Sequence, residues 1–148
     1  MATTLQQDIR ASLLKYNELI KFSYGRSLDN ALNSIKLEID NYLVCLDPPI
    51  YSGGILDNNE TKTISLSWLK KDNTDSVSDE AHNIASIESM EEIIKDCHDQ
   101  CITWLKAFID EYYKKYGIDS YTGFEAFRVK DVLTGFVITL NVTSKLQC

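Results

Sequence analysis

The sequence predicts an α+β fold in which one long helix covers a small antiparallel sheet of about four strands, with one or two helices at the N-terminus. Residues 86–117 place apolar side chains at helical spacing along one face, over about eight turns. Segments 63–69 and 136–142 alternate apolar and polar residues, which is typical of half-buried strands. Because these segments flank the long helix, the helix is expected to cover one face of the sheet.

The N-terminal segment predicts an amphipathic helix that Thr3 or Thr4 caps and Gly25 ends. Its apolar side chains fall on one side of this helix: Leu5, Ile9, Leu13, Tyr16 and Ile20. A second, weaker helix is predicted over residues 27–39, where two asparagines lower the helix propensity. The chain therefore begins with one or two helices before its first strand.

A short strand is predicted at residues 42–46, because the two prolines after Asp47 lack the N–H groups that would continue a ladder. Residues 50–60 contain paired glycines and a run of Asp and Asn, and this stretch predicts a projecting loop. Residues 63–69 form the next predicted strand. The charged, Ser-rich and Thr-rich residues 70–79 are expected to connect it to the long helix.

The long helix is expected to end at Gly117, because Lys114 and Lys115 would lie in its last turn and complement the helix dipole. Two further strands follow at residues 124–130 and 136–142. Residues 131–135 join them as a hairpin connection with a glycine near its end. The chain has no internal repeat or linker, and 148 residues fit a single domain over residues 1–148.

The excess of acidic residues indicates which kinds of partner the surface of the protein disfavours. The chain has 15 basic and 22 acidic residues and a net charge of −7, so its surface would not gain affinity by neutralising phosphates. This excess of acid disfavours nonspecific binding of nucleic acid, and we also predict no sequence-specific nucleic-acid partner. No apolar run approaches the roughly eighteen residues that a membrane span needs. Asp8 interrupts the apolar run that an export signal would need, so the four cysteines are expected to be reduced thiols in a protein made in the cytoplasm.

No group of residues predicts catalysis, a metal site or a cofactor. Cys97 and Cys101 lie four residues apart beside His98, but both fall on the apolar stripe, and two thiols do not complete a zinc site. A nucleophilic cysteine needs a base and an orienting group, and His82 and His98 lie in charged helical surroundings. The acids around Asp75 lack the glycine and the glutamate of a calcium loop. We expect buried, inert thiols and a solvated acidic segment.

Six aromatic residues lie within sixteen positions around the predicted end of the long helix. One helix and one sheet cannot bury all of them, and a surplus of exposed aromatic side chains favours a protein interface. Four short strands also leave sheet edges that association would cover. We predict an oligomer interface at Tyr113, Tyr116, Tyr121 and Phe124.

The order of elements and several local strings resemble the tail-terminator and neck-ring proteins of tailed bacteriophages. These are small α+β subunits that assemble as rings between the capsid connector and the tail. The similar parts span most of the chain. They are the initial helix, the strand that runs into Asp47-Pro48-Pro49, the long loop at 50–60, the strand at 61–69, the acidic connection at 74–80, the covering helix, and the final hairpin with its string Asp131-Val132-Leu133-Thr134-Gly135-Phe136.

This resemblance implies a non-enzymatic structural subunit of the virion head-tail junction that needs no cofactor. It implies assembly as a homo-oligomeric ring, usually hexameric, with DNA passing through the lumen. Neighbouring neck, connector or tail-tube proteins would be the partners. Two loops would contact them: the first with Tyr51, Gly53, Gly54, Ile55, Asp57 and Asn58, and the second with Lys70, Lys71 and Asp75.

The residues alone leave another class of function open. An acidic cytosolic binding module, such as an inhibitor or an immunity-type protein, would mask a basic partner by charge complementarity. The net charge of −7 and the lack of a catalytic motif fit this class as well.

Overall fold

The computed structural model describes residues 3–25, 36–38, 40–53, 60–71, 84–130 and 133–145, without the side chains of 84–89 and 127–130. These ranges contain two helices and one mixed sheet of six strands. In chain order the elements are α1 (Leu5–Tyr16), β1 (Ile20–Tyr24), β2 (Tyr42–Leu46), β3 (Ile50–Gly53), β4 (Glu60–Lys71), α2 (Ile84–Tyr112), β5 (Tyr116–Lys130) and β6 (Leu133–Ser144). The predicted α+β class is confirmed, but the sheet is larger than four strands.

The strands follow the spatial order β1-β2-β4-β6-β5, and β3 pairs with the first part of β4. The pair β1 and β2 is parallel, and every other pair is antiparallel. The prediction of a purely antiparallel sheet is therefore wrong. The long ladder between β4 and β6 runs from Thr61 opposite Thr143 to Lys71 opposite Leu133 and forms the middle of the sheet.

Both helices pack on the same face of the sheet, and the main core lies between them and the strands. Trp68 of β4 and Trp104 of α2 are fully buried there, with ring centroids 6.1 Å apart. The indole Nε1 of Trp104 donates a hydrogen bond of 3.0 Å to the Ser12 hydroxyl, which links α2 to α1. A smaller apolar cluster lies on the opposite face and contains Leu37, Leu43, Cys45, Leu69, Ala126 and Leu133.

The first helix begins as predicted and ends earlier. Thr4 caps it in a capping box, because its hydroxyl accepts from the Gln7 N–H and its own N–H donates to the Gln7 side chain. The predicted end at Gly25 is wrong: the helix ends at Tyr16, and Asn17 is extended, with φ −154° and ψ 121°. The residues that follow form β1. The predicted second helix lies largely outside the described residues, and residues 36–38 are not helical.

The long helix also ends before its predicted stop. α2 ends at Tyr112, and a turn follows in which the Lys115 N–H donates to the Tyr112 carbonyl over 2.9 Å. Tyr116 opens β5 and pairs with Ser144, so Gly117 lies inside a strand rather than at a helix end. The physical reason is the burial of Tyr116, which a continued helix would not bring to its partner on α1.

The segment predicted as one long loop after β2 contains a strand. Ile50–Gly53 pairs with the beginning of β4, from Ile50 opposite Thr63 to Gly53 opposite Glu60. Residues 54–59 lie outside the described residues. The paired glycines and the run of Asp and Asn in residues 50–60 favoured a loop, and the strand has no buried face that an apolar alternation could have marked.

Candidate functional site

The described cysteines are buried thiols rather than nucleophiles. Burial raises the pKa of Cys45 to about 11 and the pKa of Cys97 and Cys101 to about 12. Only the thiolate attacks or binds a metal, so these groups are unreactive near neutral pH. The predicted burial of Cys97 and Cys101 on the apolar stripe of the long helix is confirmed. Cys148 lies outside the described residues.

The His98 side chain contacts an aromatic ring and an acidic side chain. Its ring meets the Phe136 ring edge to face, with centroids 4.9 Å apart, and its Nδ1 lies 3.1 Å from Oδ1 of Asp99. Within the described part of the chain, no three His, Cys, Asp or Glu side chains come together as metal ligands. His82 lies outside that part.

A buried carboxylate fastens α1 to the beginning of β5. Asp8 is 4% exposed and accepts from the Tyr116 hydroxyl over 2.6 Å and from Nζ of Lys115 over 2.8 Å. The Thr3 hydroxyl donates to its other oxygen. Burial alone raises the pKa of Asp8, but the hydrogen bonds from Lys115, Thr3 and Tyr116 outweigh it and hold that pKa below its ordinary value. This cluster stabilises the fold.

A second polar cluster fastens α2 to the sheet. The Tyr42 hydroxyl donates to Oδ2 of Asp96 over 2.7 Å, and Nζ of Lys70 lies 3.4 Å from the same oxygen. Burial and this hydrogen bond raise the pKa of Tyr42 well above its ordinary value, so its phenol stays protonated and cannot act as a base. Both clusters link elements of the fold.

A groove runs between α1 and β1, and we call it the β1 groove. It contains two consecutive cavities of about 300 and 330 Å³, which share Arg10 and Phe22. Gln6 and Tyr24 lie at one end of the groove, where the Gln6 amide donates to the Tyr24 hydroxyl over 3.3 Å. Leu14, Glu18, Ile20 and Lys21 line the other end. The groove follows an edge strand of the sheet, where backbone groups are open to a partner.

The opposite end of the sheet carries exposed aromatic side chains on both of its faces. Tyr121 pairs with Leu140 and is 47% exposed on the face covered by the helices, beside a cavity of about 190 Å³ between α2 and β5. Phe124 pairs with Val137 and is 59% exposed on the other face. We call Tyr121 and Phe124 the β5 surface. Aromatic side chains are enriched at protein interfaces, and these two are exposed at the edge of the sheet.

Three of the four residues predicted to form an oligomer interface are exposed, and one is buried. Tyr121 and Phe124 are exposed on β5, and Tyr113 is exposed just beyond α2. The prediction for Tyr116 as a contact residue is wrong, because Tyr116 is 7% exposed and its hydroxyl donates to Asp8. Its aromatic ring stacks on Phe108 in the core, with centroids 6.1 Å apart.

The structure describes only some of the residues predicted to lie in the two contact loops. Tyr51 and Gly53 are exposed on β3, whereas Gly54, Ile55, Asp57, Asn58 and Asp75 lie outside the described residues. Lys70 and Lys71 do not lie on a loop: they are the last residues of β4, opposite Thr134 and Leu133. The ion pair of Lys70 with Asp96 explains its fixed position.

Sequence reasoning missed the β1 groove, because β1 was not predicted as a strand. The sequence contains one signal for it, Asn17, because Asn is typical of a turn that separates two elements. In the structure the Asn17 side chain accepts a hydrogen bond of 2.9 Å from the Leu19 N–H.

No helix within the described residues is long and apolar enough to cross a membrane. No protein-family model matches the chain, and no curated protein shows significant similarity to it.

Proposed function

We propose that the protein is a non-enzymatic structural subunit of a phage head-tail junction, a tail terminator or neck ring, that assembles as a homo-oligomeric ring. The β5 surface is the observation that carries this proposal. It combines a 15-residue edge strand with exposed aromatic side chains on both faces of the sheet, Tyr121 and Phe124. The proposal also rests on the resemblance of the sequence to the neck proteins, of which the structure contains the initial helix, the strand at 42–46, the long helix and the final hairpin.

A contact made by one end of a sheet is well suited to ring assembly. The β5 surface lies at one end of the strand order and has no counterpart at the other end, which is formed by the short strand β1. Association through such a surface is heterologous, because it meets a different surface on the next copy. A heterologous contact closes into a ring when the rotation between copies allows it. The predicted contact residues near β3 and at the end of β4 would then meet neck, connector or tail-tube proteins above and below, in a virion.

The first test is the mass in solution by light scattering over a concentration series, with negative-stain imaging of any large species. We expect rings or short tubes. Phe124→Asp should shift the distribution to the monomer, because a charge would replace an exposed ring in the contact. Ile50→Asp is the matched control: Ile50 is 69% exposed, and its position on β3 lies away from the β5 surface. Equal effects of the two variants would contradict the proposed contact.

An acidic binding module is the second candidate, and the outer face of α2 favours it. Glu91, Glu92, Asp99, Asp110 and Glu111 are exposed there, against the two exposed lysines Lys95 and Lys106. Such a face steers a basic partner at low salt. A monomer at every concentration would favour this class. In that case, changing Glu91 and Glu92 to Lys should abolish capture of a basic host protein without unfolding the chain.

A further inference from the structure

We propose that the β1 groove binds an extended peptide segment of another protein, which adds as a strand to the edge of β1 and places a carboxylate against Arg10. This inference is independent of the head-tail role, because it rests on the backbone and the charges of a different end of the sheet. Addition of a strand to an open sheet edge gives affinity through main-chain hydrogen bonds and specificity through alternate side chains.

The backbone of β1 has donors and acceptors that point away from the sheet. The Leu19 carbonyl accepts from the Tyr42 N–H, and the Gly25 N–H donates to the Leu46 carbonyl, each over 3.0 Å. In a parallel pair, alternate residues of one strand bond the partner strand. Lys21 and Ser23 therefore bond β2, and the N–H and carbonyl groups of Phe22 and Tyr24 point outward. No strand within the described residues lies beyond them.

The dimensions of the groove match a short strand. Five residues of extended chain span about 16 Å. β1 has five residues, and its ladder with β2 runs without a register shift from Ile20 opposite Tyr42 to Tyr24 opposite Leu46. The two cavities, of about 300 and 330 Å³, follow this strand in succession and provide space for two side chains of an added strand.

The side chains of α1 form the far wall of the groove and set its chemistry. Gln6, Arg10 and Leu14 follow each other at intervals of four residues, so they line one stripe of the helix. Leu14 is 39% exposed and Tyr24 is 43% exposed, so both leave apolar surface open along the groove. An added strand with apolar residues at alternate positions would cover them.

The charge of the groove selects an acidic partner. Arg10 lines both cavities and Lys21 lines one of them, and neither makes an ion pair with any described residue. Glu18 is the acidic residue that lines the groove, so this site is basic on a protein with a net charge of −7. Arg10 is exposed, and an unpaired guanidinium favours a carboxylate, which it can bind in a bidentate manner.

The other edge of the sheet is less suited to strand addition. The β5 ladder shifts register between Ile118 and Tyr121 and again between Ala126 and Lys130. Bulges of this kind twist an edge away and protect its backbone from pairing with another strand, so the contact proposed at β5 uses the side chains of Tyr121 and Phe124 rather than main-chain hydrogen bonds. The regular edge at β1 carries no such protection.

A randomised library of nine-residue peptides displayed on phage, selected against the full chain, tests the proposal. Enriched peptides should alternate apolar and polar residues and carry Asp or Glu at one fixed position. Selection against Arg10→Glu should move that position to Lys or Arg, which loss of stability alone would not do. An enriched peptide should bind Arg10→Glu about five- to tenfold more weakly than the parent chain.

Two further variants complete the test, the first as a control for charge and the second as a test of the strand edge. Lys95→Glu makes the same charge change on the exposed face of α2 and should leave peptide binding unchanged. Tyr24→Pro removes one outward-pointing N–H, which an edge strand tolerates, and should weaken binding without unfolding the chain. No enrichment, or enrichment that Arg10→Glu does not redirect, overturns the proposal. So does a dimer in light scattering that Tyr24→Pro dissociates, because a second copy would then occupy the groove.

Discussion

The hydroxyl of Tyr116 donates a hydrogen bond of 2.6 Å to Oδ2 of Asp8, across 108 residues of sequence. The same oxygen accepts from Nζ of Lys115 over 2.8 Å. One carboxylate of the first helical turn thereby holds the connection between the long helix and β5. Since Asp8 is almost fully buried, its charge depends on these partners.

Asp8→Asn should lower the free energy of unfolding by about 2–3 kcal/mol, because the ammonium of Lys115 would lose its charged partner while an amide still accepts from Tyr116. Urea unfolding followed by circular dichroism measures this change. Asp110→Asn is the control, because Asp110 is exposed on α2 and makes no ion pair with a described residue. It should cost less than about 0.5 kcal/mol. Equal losses would show that Asp8 has no special role.

Asp8 also predicts a loss of stability in acid. Its folded pKa lies below its ordinary value of 3.8, so the ionised form stabilises the fold, and this contribution is full above about pH 5. As the pH falls through the unfolded and then the folded pKa, the contribution is lost. The difference in unfolding free energy between the parent chain and Asp8→Asn should therefore shrink below about pH 4. A difference that grows in acid would contradict this sign.

Gly135→Ala should destabilise the chain by about 2–4 kcal/mol. A Cβ at Gly135 would lie 2.0 Å from the Trp68 carbonyl oxygen and 2.9 Å from Cα of Leu69, and backbone atoms in the middle of a ladder cannot move aside. Gly117→Ala is the matched control, because the nearest atoms to its Cβ are 3.8 Å away. It should be neutral or slightly stabilising. Thermal unfolding of the two variants makes the comparison.

The buried thiols should react with a disulfide reagent only when the protein unfolds. In a Cys148→Ser variant, Cys45, Cys97 and Cys101 should give no fast phase at pH 8, because their pKa values of about 11 and about 12 leave little thiolate. Release of the chromophore should follow the unfolding curve as urea is added. A thiol that reacts within seconds in the native protein would contradict the burial of these residues.

Local residue patterns were enough to predict the strand at residues 42–46 and the long helix. The strand at Tyr42–Leu46 has the bounds predicted for it, because it is apolar throughout and two prolines follow it. The long helix has an apolar face over most of its length, and that face is buried against the sheet.

The remaining elements depend on contacts between distant residues. Ile20 continues the helical spacing of Tyr16, and only its pairing with Tyr42 makes it the first residue of a strand. Tyr116 and Gly117 fit the end of a helix by local preference, and the partner of Tyr116 on α1 decides otherwise. The β1 groove has one wall on α1 and one on β1, so no single segment of sequence contains its pattern.

The central ladder between β4 and β6 determines when the sheet can form during synthesis of the protein. Thr63 of β4 and Asn141 of β6 share a hydrogen bond although 78 residues separate them. At the usual speed of synthesis, a ribosome needs about 4–15 s to add the chain between such strands. During that time β4 has no partner for one of its edges, and its apolar side chains have no neighbour in β6. The sheet is therefore completed only after β6 has been made, and until then the nascent chain depends on protection from aggregation.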